Sequence, residues 1–183
     1  MATPPDFSPG QVLTAAHMDA VGLWLVDYNA VTGATELIID GCYTSAFENY
    51  VISARIQTSN NDSFYQNRAG GSNAASNYNR QLVEAQSSSI STSRATAQSS
   101  FVFTSNSNGA FWQSAEVNIY GPALADATGI QVNHCRSDGN YTVPSAFLIY
   151  GNHSTATAYD GFRLFVPTGT LTAKVWVYGR RDQ

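Results

Sequence analysis

Three histidines and two cysteines are the residues of this chain best suited to nucleophilic or metal chemistry: His17, His134, His153, Cys42 and Cys135. A nucleophilic triad needs Ser or Cys beside a His and an orienting carboxylate. No histidine accompanies a Gly-x-Ser-x-Gly elbow, and His134 and Cys135, as neighbours on a strand, would point to opposite faces. Two isolated cysteines form no disulfide framework, so buried free thiols are the expected state and a single bond stays open.

Metal sites and glycosidases have their own spacing rules, and the sequence follows none of them. It contains no Cys-x-x-Cys, no His-Glu-x-x-His and no Asp-rich calcium loop with a closing Glu. A glycosidase needs two facing carboxylates. The chain has thirteen acidic residues, and their spacing selects no pair. We therefore expect a protein without catalytic residues, metal or cofactor.

Aromatic and amide side chains are the remaining candidates for binding, and a sugar is the ligand that they suit. Aromatic rings stack on sugar rings while amides hydrogen-bond hydroxyls. Five aromatic residues lie outside the clearest inward registers and are candidates for receptor or glycan contact: Tyr65, Tyr78, Trp112, Tyr141 and Tyr159. Aromatic residues also favour strands and subunit interfaces. A role in the sheet or in a subunit contact is therefore the alternative to glycan binding.

The charge content is low and narrows the classes of partner. Only 12% of the 183 residues are charged, and the formal net charge is -4. Nucleic-acid binding needs clustered Lys and Arg, which the sequence lacks. No apolar stretch approaches the ~20 residues of a membrane-spanning helix. We expect neither nucleic acid nor membrane insertion. The low charge content has two possible explanations. Either Ser, Thr, Asn and Gln replace charged residues on the surface of a β protein, or much of the surface faces other protein.

Short alternating runs separated by turn signals fill the chain from about residue 36 onward. Tyr50, Ile52, Ala54 and Ile56 share one face of a predicted strand, and Phe162, Leu164 and Val166 share one face of another. Leu171, Ala173, Val175 and Val177 repeat the pattern. Regularly spaced short strands with turn chemistry between them predict an all-β fold, an antiparallel β-sandwich that is jelly-roll-like.

Two segments depart from this strand pattern. Residues 13–25 combine a plausible N-cap, Thr14, with helix-favouring Ala, Met and Leu, which predicts a short N-terminal helix ahead of the sandwich. We accordingly divide the chain into an N-terminal anchoring segment, residues 1–30, and a β-sandwich domain, residues 31–183. Residues 86–98 are rich in Ser and too polar for a core strand. They are either a flexible loop or an extended arm that docks on a neighbouring subunit.

Several ordered motifs resemble those of virion proteins of tailed bacteriophages. Residues 7–19, FSPGQVLTAAHMD, resemble the opening F-x-x-G-x-x-L-T-A-A-x-x-N of phage tail, fibre and head-associated structural proteins, with Asp19 in place of the usual Asn. The segments FENY at 47–50, RAGGSN at 68–73 and SNY at 76–78 follow in the order seen in such proteins. DGF at 160–162, TGTL at 168–171 and VYGR at 177–180 resemble the way these chains end.

The resemblance implies a non-enzymatic structural protein of the virion, assembled in the host cytoplasm. We expect a tail- or fibre-associated homo-oligomer, a trimer, that contacts other virion proteins. A capsid decoration or head-fibre protein that stabilises the shell is the first alternative, and a carbohydrate-binding adhesin for a host surface glycan is the second. The residues expected to anchor the chain to the particle are apolar side chains in a segment too short for its own core: Phe7, Leu13, Met18 and Trp24.

Overall fold

Thirteen β-strands make up the secondary structure in the computed structural model, which describes residues 22–59, 62–86, 88–105, 112–137 and 144–180. No helix occurs among these residues. The strands are β1 (Leu23–Ala34), β2 (Glu36–Ile39), β3 (Asn49–Thr58), β4 (Ser63–Ala69), β5 (Ser72–Asn73), β6 (Tyr78–Gln86), β7 (Ser89–Gln98), β8 (Phe101–Thr104), β9 (Gln113–Tyr120), β10 (Thr128–Ser137), β11 (Pro144–His153), β12 (Gly161–Phe165) and β13 (Leu171–Arg180).

The strands are arranged in two antiparallel sheets. The large sheet has eight strands in the order β1-β13-β3-β9-β10-β11-β6-β7. The small sheet contains β2-β12-β4-β5, with β8 paired to β4. In the large sheet β9, β10 and β11 are consecutive neighbours, whereas β13 inserts between β1 and β3 from the far end of the chain. The predicted all-β sandwich of antiparallel sheets is confirmed.

The hydrophobic core lies between the two sheets, and the alternating strands supply it as predicted. Full burial of one large apolar side chain contributes about 1.5–3 kcal/mol, so these alternating rows are the main source of stability. The inward residues of β3, β12 and β13 are almost completely buried: Tyr50, Ile52, Ala54, Ile56, Phe162, Leu164, Leu171, Ala173, Val175 and Val177. Val166, just after β12, is buried with them.

A glycine permits close approach where the small sheet meets the turn after β2. A Cβ on Gly161 would lie 2.2 Å from the carbonyl oxygen of Ile39 and 2.8 Å from the Cα of Asp40. Only a residue without a side chain fits at this distance. The motif Asp-Gly-Phe at 160–162 therefore has a packing role, because it lets β12 carry Phe162 into the core beside β2.

The first described strand departs from the helix prediction. Residues 23–25, expected at the end of the helix, belong to β1, which pairs with β13 along its length. Pairing satisfies the backbone groups on the free side of β13, and such tertiary hydrogen bonds outweigh the modest helix propensity of Leu. β1 also runs across the expected boundary between residues 30 and 31. Residues 13–21 of the predicted helix lie outside the described residues.

The Ser-rich stretch is a strand rather than a loop. Residues 89–98 form β7, which pairs with β6 of the same chain and is the last strand of the large sheet. Nearly every residue of β7 is exposed on both faces, because the small sheet does not cover it. Polar β-branched and hydroxyl side chains suit a solvated strand of this kind. No described strand pairs with the other side of β7, so its edge is free within this part of the chain.

Candidate functional site

Three of the five aromatic residues expected to contact a glycan lie in the core. Tyr65, Tyr78 and Tyr159 are at most 5% exposed. The Tyr65 hydroxyl donates to Oδ1 of Asn67 and lies 3.0 Å from the Tyr43 hydroxyl, while the Tyr78 hydroxyl accepts a 2.8 Å bond from the backbone N–H of Asn67. A buried ring cannot stack on a sugar. These tyrosines are core residues whose hydroxyls find hydrogen-bond partners in other buried residues, namely Tyr43, Asn67 and His153.

Burial also sets the protonation of this core network. It raises the pKa of Tyr43 and Tyr65 well above the ordinary value for a phenol, because the phenolate would be desolvated. The Tyr159 hydroxyl lies 2.9 Å from Nδ1 of His153, whose pKa is lowered by burial. Neutral phenols and a neutral imidazole are what an uncharged hydrogen-bonded core requires. The network is structural, and it presents no group to a ligand.

The remaining expected site residues divide between the surface and the part of the chain that is not described. Trp112 is half-buried, and the guanidinium of Arg55 lies 4.9 Å from its ring centre. Tyr141 lies outside the described residues, as do Phe7, Leu13 and Met18. Trp24 is a half-buried residue of β1 opposite Gly179 of β13. Its role in anchoring to a particle stays a prediction.

The outer face of the large sheet, meaning the side that points away from the small sheet, spans eight strands. Large apolar residues lie on it, and no part of the chain that the structure describes covers them. Six are between 40% and 58% exposed: Leu23, Leu25, Tyr28, Tyr120, Leu148 and Tyr150. Exposed apolar residues grouped on one face are typical of a surface that binds another molecule.

A shallow depression, which we call the central groove, lies in the middle of the outer face. Its volume is about 420 Å³. The strand register brings its lining into two rows across β13, β3, β9 and β10. The first row is Trp176, Ser53, Glu116 and Asn133, and the second is Arg55, Ser114 and Cys135. Lys174 lies beside Arg55 at the end of the second row, next to the lining. Ser53 and Ser114 contribute small side chains to the lining, and Trp176 forms a wall at one end of the first row.

The charges of the central groove differ from those on the small sheet. There, Arg68 pairs with Asp40 at 2.6 Å and Arg163 with Glu36 at 2.9 Å. Arg55 and Lys174 are instead directly opposite each other on adjacent strands. Neither forms an ion pair within the described part of the chain, so two like charges face each other. Glu116, the acidic residue of the groove, is diagonal to Arg55 on β9 and makes no ion pair with it. Like charges directly opposite each other are destabilising across a sheet.

No family model matches this chain, and neither does any curated protein or any solved structure. Among the described residues, no three His, Cys, Asp or Glu side chains form a group able to hold a metal ion. The same residues contain no helix whose length and apolar character would let it cross a membrane. The candidate site must therefore be judged on its own geometry.

The β7 flank, meaning β6 and β7 at the end of the large sheet, is the second unusual surface. Ile90 is 76% exposed, the largest value among the exposed large hydrophobic residues of the described chain. It stands opposite Ala85, which in turn stands opposite Ala146, so an apolar row extends from β11 to the free edge. Arg94 is the one charged residue of β7.

The two cysteines are free thiols in different environments. Cys42 is buried, and burial raises the pKa of its thiol above the ordinary value. Cys135 is exposed on the lining of the central groove. The expected free thiols are confirmed, although only one of the two is buried.

Sequence reasoning missed the residues of the central groove. The signal was present in β13, where Lys174 and Trp176 alternate with the buried Ala173, Val175 and Val177. A large aromatic residue out of phase with a confirmed core register must point away from the core. Recognising the groove also required the pairing of β13 with β3 and of β3 with β9, which the sequence does not show.

Proposed function

We propose that this protein is a non-enzymatic structural subunit of a tailed-phage particle, one that belongs to the tail or fibre apparatus and works as a homotrimer. The resemblance of its motifs to phage virion proteins suggests the particle. The observation that carries the assembly role is the β7 edge, a ten-residue strand with an open hydrogen-bonding side. We also propose that the sandwich is jelly-roll-like and that residues 1–30 anchor the chain to the particle.

An exposed edge strand is a template for pairing with another chain. Proteins that remain monomeric protect such edges with Lys, Pro, bulges or covering segments. β7 contains neither Lys nor Pro, and nothing in the described chain covers it. Its one register irregularity lies between Ala95 and Gln98, so residues 89–95 pair regularly with β6. Its edge instead carries Ile90, an apolar residue whose exposure is costly unless another molecule covers it. These properties support a subunit contact at β7.

The opposite end of the large sheet supplies a complementary edge. β1 carries Leu23 and Leu25, which are both more than half exposed. All seven pairings of the eight-stranded sheet are antiparallel, so β1 and β7 run in opposite directions. β7 of one copy therefore pairs antiparallel with β1 of the next. Three copies joined in this way close a ring, as a head-to-tail interface requires if it is not to form a filament.

The assembly test is the molar mass of the purified protein by light scattering after size-exclusion chromatography. We expect a trimer for the wild type. Ile90→Arg on β7 and Leu25→Arg on β1 should each yield a folded monomer, because either charge would be desolvated in the contact. Leu124→Arg is the matched control, since Leu124 is similarly exposed but lies between β9 and β10. A monomeric wild type, or a trimer that survives both changes, would contradict the proposed contact.

The particle test is the copy number and position of the protein in intact virions, by quantitative gel and antibody labelling. Few copies confined to the tail would agree with the proposal. Many copies spread over the head would replace it with a capsid decoration protein, whose binding stabilises the assembled shell. Absence from purified particles would refute both.

A further inference from the structure

Two opposed cations, Arg55 on the lining of the central groove and Lys174 beside it, are suited to binding an anionic group. Arg55 and Lys174 face each other across β3 and β13, and Lys174 is the single lysine of the chain. Directly opposite side chains in a sheet have Cβ atoms about 4.5–5.5 Å apart. A carboxylate placed between the two cationic groups would replace their repulsion with two charge-assisted hydrogen bonds.

Two indole rings flank these cations, and they indicate which kind of molecule would carry the anionic group. Trp112 stacks against the guanidinium of Arg55, which holds that group in place. Trp176 follows Lys174 on the same face of β13 and packs against Tyr28 with 5.3 Å between ring centres. Its ring is the wall of the central groove. An indole wall beside a cation pair suits a ring with an apolar face and an attached carboxylate.

The remainder of the groove offers hydrogen-bonding groups for hydroxyls. Glu116 accepts hydrogen bonds, Asn133 donates and accepts, and both lie in the row that begins at Trp176. Four strands spaced about 4.8 Å apart give the row a length of roughly 14 Å, which leaves room beyond a single sugar ring. A ligand with hydroxyls on one side and a carboxylate on the other is an acidic sugar.

We propose that the central groove binds an acidic saccharide, with the carboxylate between Arg55 and Lys174, a pyranose ring against Trp176 and hydroxyls toward Glu116 and Asn133. The edge-to-edge contact between β7 and β1 would cover the outer face only at its two ends, around Leu25 and Ile90, and would leave the central groove open, so a trimer would present three such grooves. Saccharide binding itself does not depend on the virion role, but its use for contact with a host surface polysaccharide rests on that proposed function.

The test is a titration of the isotope-labelled full-length protein, followed through the indole N–H signals in NMR spectra. The probes are glucuronate, glucose as the neutral match and inorganic phosphate as a bare anion. Glucuronate should shift the Trp176 signal and bind at least several-fold more tightly than either control. Equal binding of phosphate would mean a general anion site, and equal binding of glucose would mean that the cations play no part; each result would overturn the proposal.

Substitutions identify the residues responsible. Lys174→Gln should weaken glucuronate binding about threefold to fivefold, as expected for one exposed charge pair, and Lys174→Arg should restore it. Trp176→Leu should weaken it about tenfold through the lost stacking. Arg94→Gln, which removes a cation from β7, is the matched control and should change nothing. Unchanged affinity in Lys174→Gln would refute the proposed site even if Trp176→Leu fails to fold.

The same samples separate this inference from the proposed function. A trimeric protein found in particles that does not bind glucuronate would refute the acidic saccharide and leave the structural role intact. A protein that binds glucuronate but is monomeric and absent from particles would refute the structural role alone.

Discussion

Replacing Tyr65 with phenylalanine tests whether the buried tyrosines are core residues rather than sugar contacts. The substitution removes a single oxygen from a fully buried side chain and preserves its stacking on Phe162, where the ring centres are 5.4 Å apart. That oxygen donates to Oδ1 of Asn67 and lies 3.0 Å from the hydroxyl of Tyr43. Both partners are themselves buried, so neither can turn to bulk water for a replacement.

The expected loss follows from those two hydrogen bonds. Leaving a buried acceptor or donor without its partner costs about 1–3 kcal/mol. Asn67 is poorly placed to absorb the change, because its Nδ2 already has no hydrogen-bond partner in the described chain. In a domain of this size each 1 kcal/mol lowers the midpoint of thermal unfolding by about 2–4 °C. We therefore expect Tyr65→Phe to unfold about 2–12 °C below the wild type.

The assay is thermal and urea unfolding followed by circular dichroism. Tyr150→Phe is the matched control, since Tyr150 is 46% exposed on the outer face and the change should stay within about 0.5 kcal/mol. Equal stability of wild type and Tyr65→Phe would refute the hydrogen-bond argument. Weaker binding of a sugar to Tyr65→Phe at unchanged stability would restore Tyr65 as a ligand contact.

Two further predictions concern the thiols and the pH dependence of stability. A thiol reagent should modify Cys135 rapidly and Cys42 only after unfolding, because burial raises the pKa of Cys42 and shields it; rapid labelling of both in native protein would contradict the packing around Cys42. Burial lowers the pKa of His153 in the folded protein below its value of about 6.5 in the unfolded chain. The stability that neutral His153 contributes is therefore fully present above pH 6.5 and is lost as the pH falls below 6.5, because the unfolded chain then binds the additional proton. Between pH 7.5 and pH 5, the free energy of urea unfolding should therefore fall less for His153→Gln than for the wild type. An equal fall in both proteins would exclude this contribution.

Local sequence pattern was sufficient to predict the buried residues wherever one face of a strand is uniformly apolar. Tyr50, Ile52, Ala54 and Ile56 could be assigned to the core from alternation alone, because successive side chains of a strand point to opposite faces. The same physical rule predicted the inward residues of β12 and β13, and with them the all-β sandwich. It could not predict the burial of isolated aromatics such as Tyr65 and Tyr78, because the residues two positions away on either side of each are polar and show no apolar alternation.

Residues 23–25 and 89–98 show a second limit of sequence pattern. Leu and Trp at 23–25 suit a helix, but the free side of β13 gives this segment backbone partners as a strand. The Ser-rich residues of β7 show no apolar period, and they become a strand because β6 lies beside them. In both cases the deciding hydrogen bonds come from a neighbouring strand, so the local sequence alone cannot reveal them.

The sequence by itself determined the fold class, the low charge and the resemblance to phage virion proteins, because composition, alternation and short motifs are local properties. Only the tertiary structure decided which residues meet. Lys174 and Arg55 are 119 positions apart in the chain, and their opposition follows from the insertion of β13 beside β3. The free edges of β1 and β7 likewise follow from the order of the strands. Strand order is set by long-range hydrogen bonding and by the burial of one face, which no local pattern records.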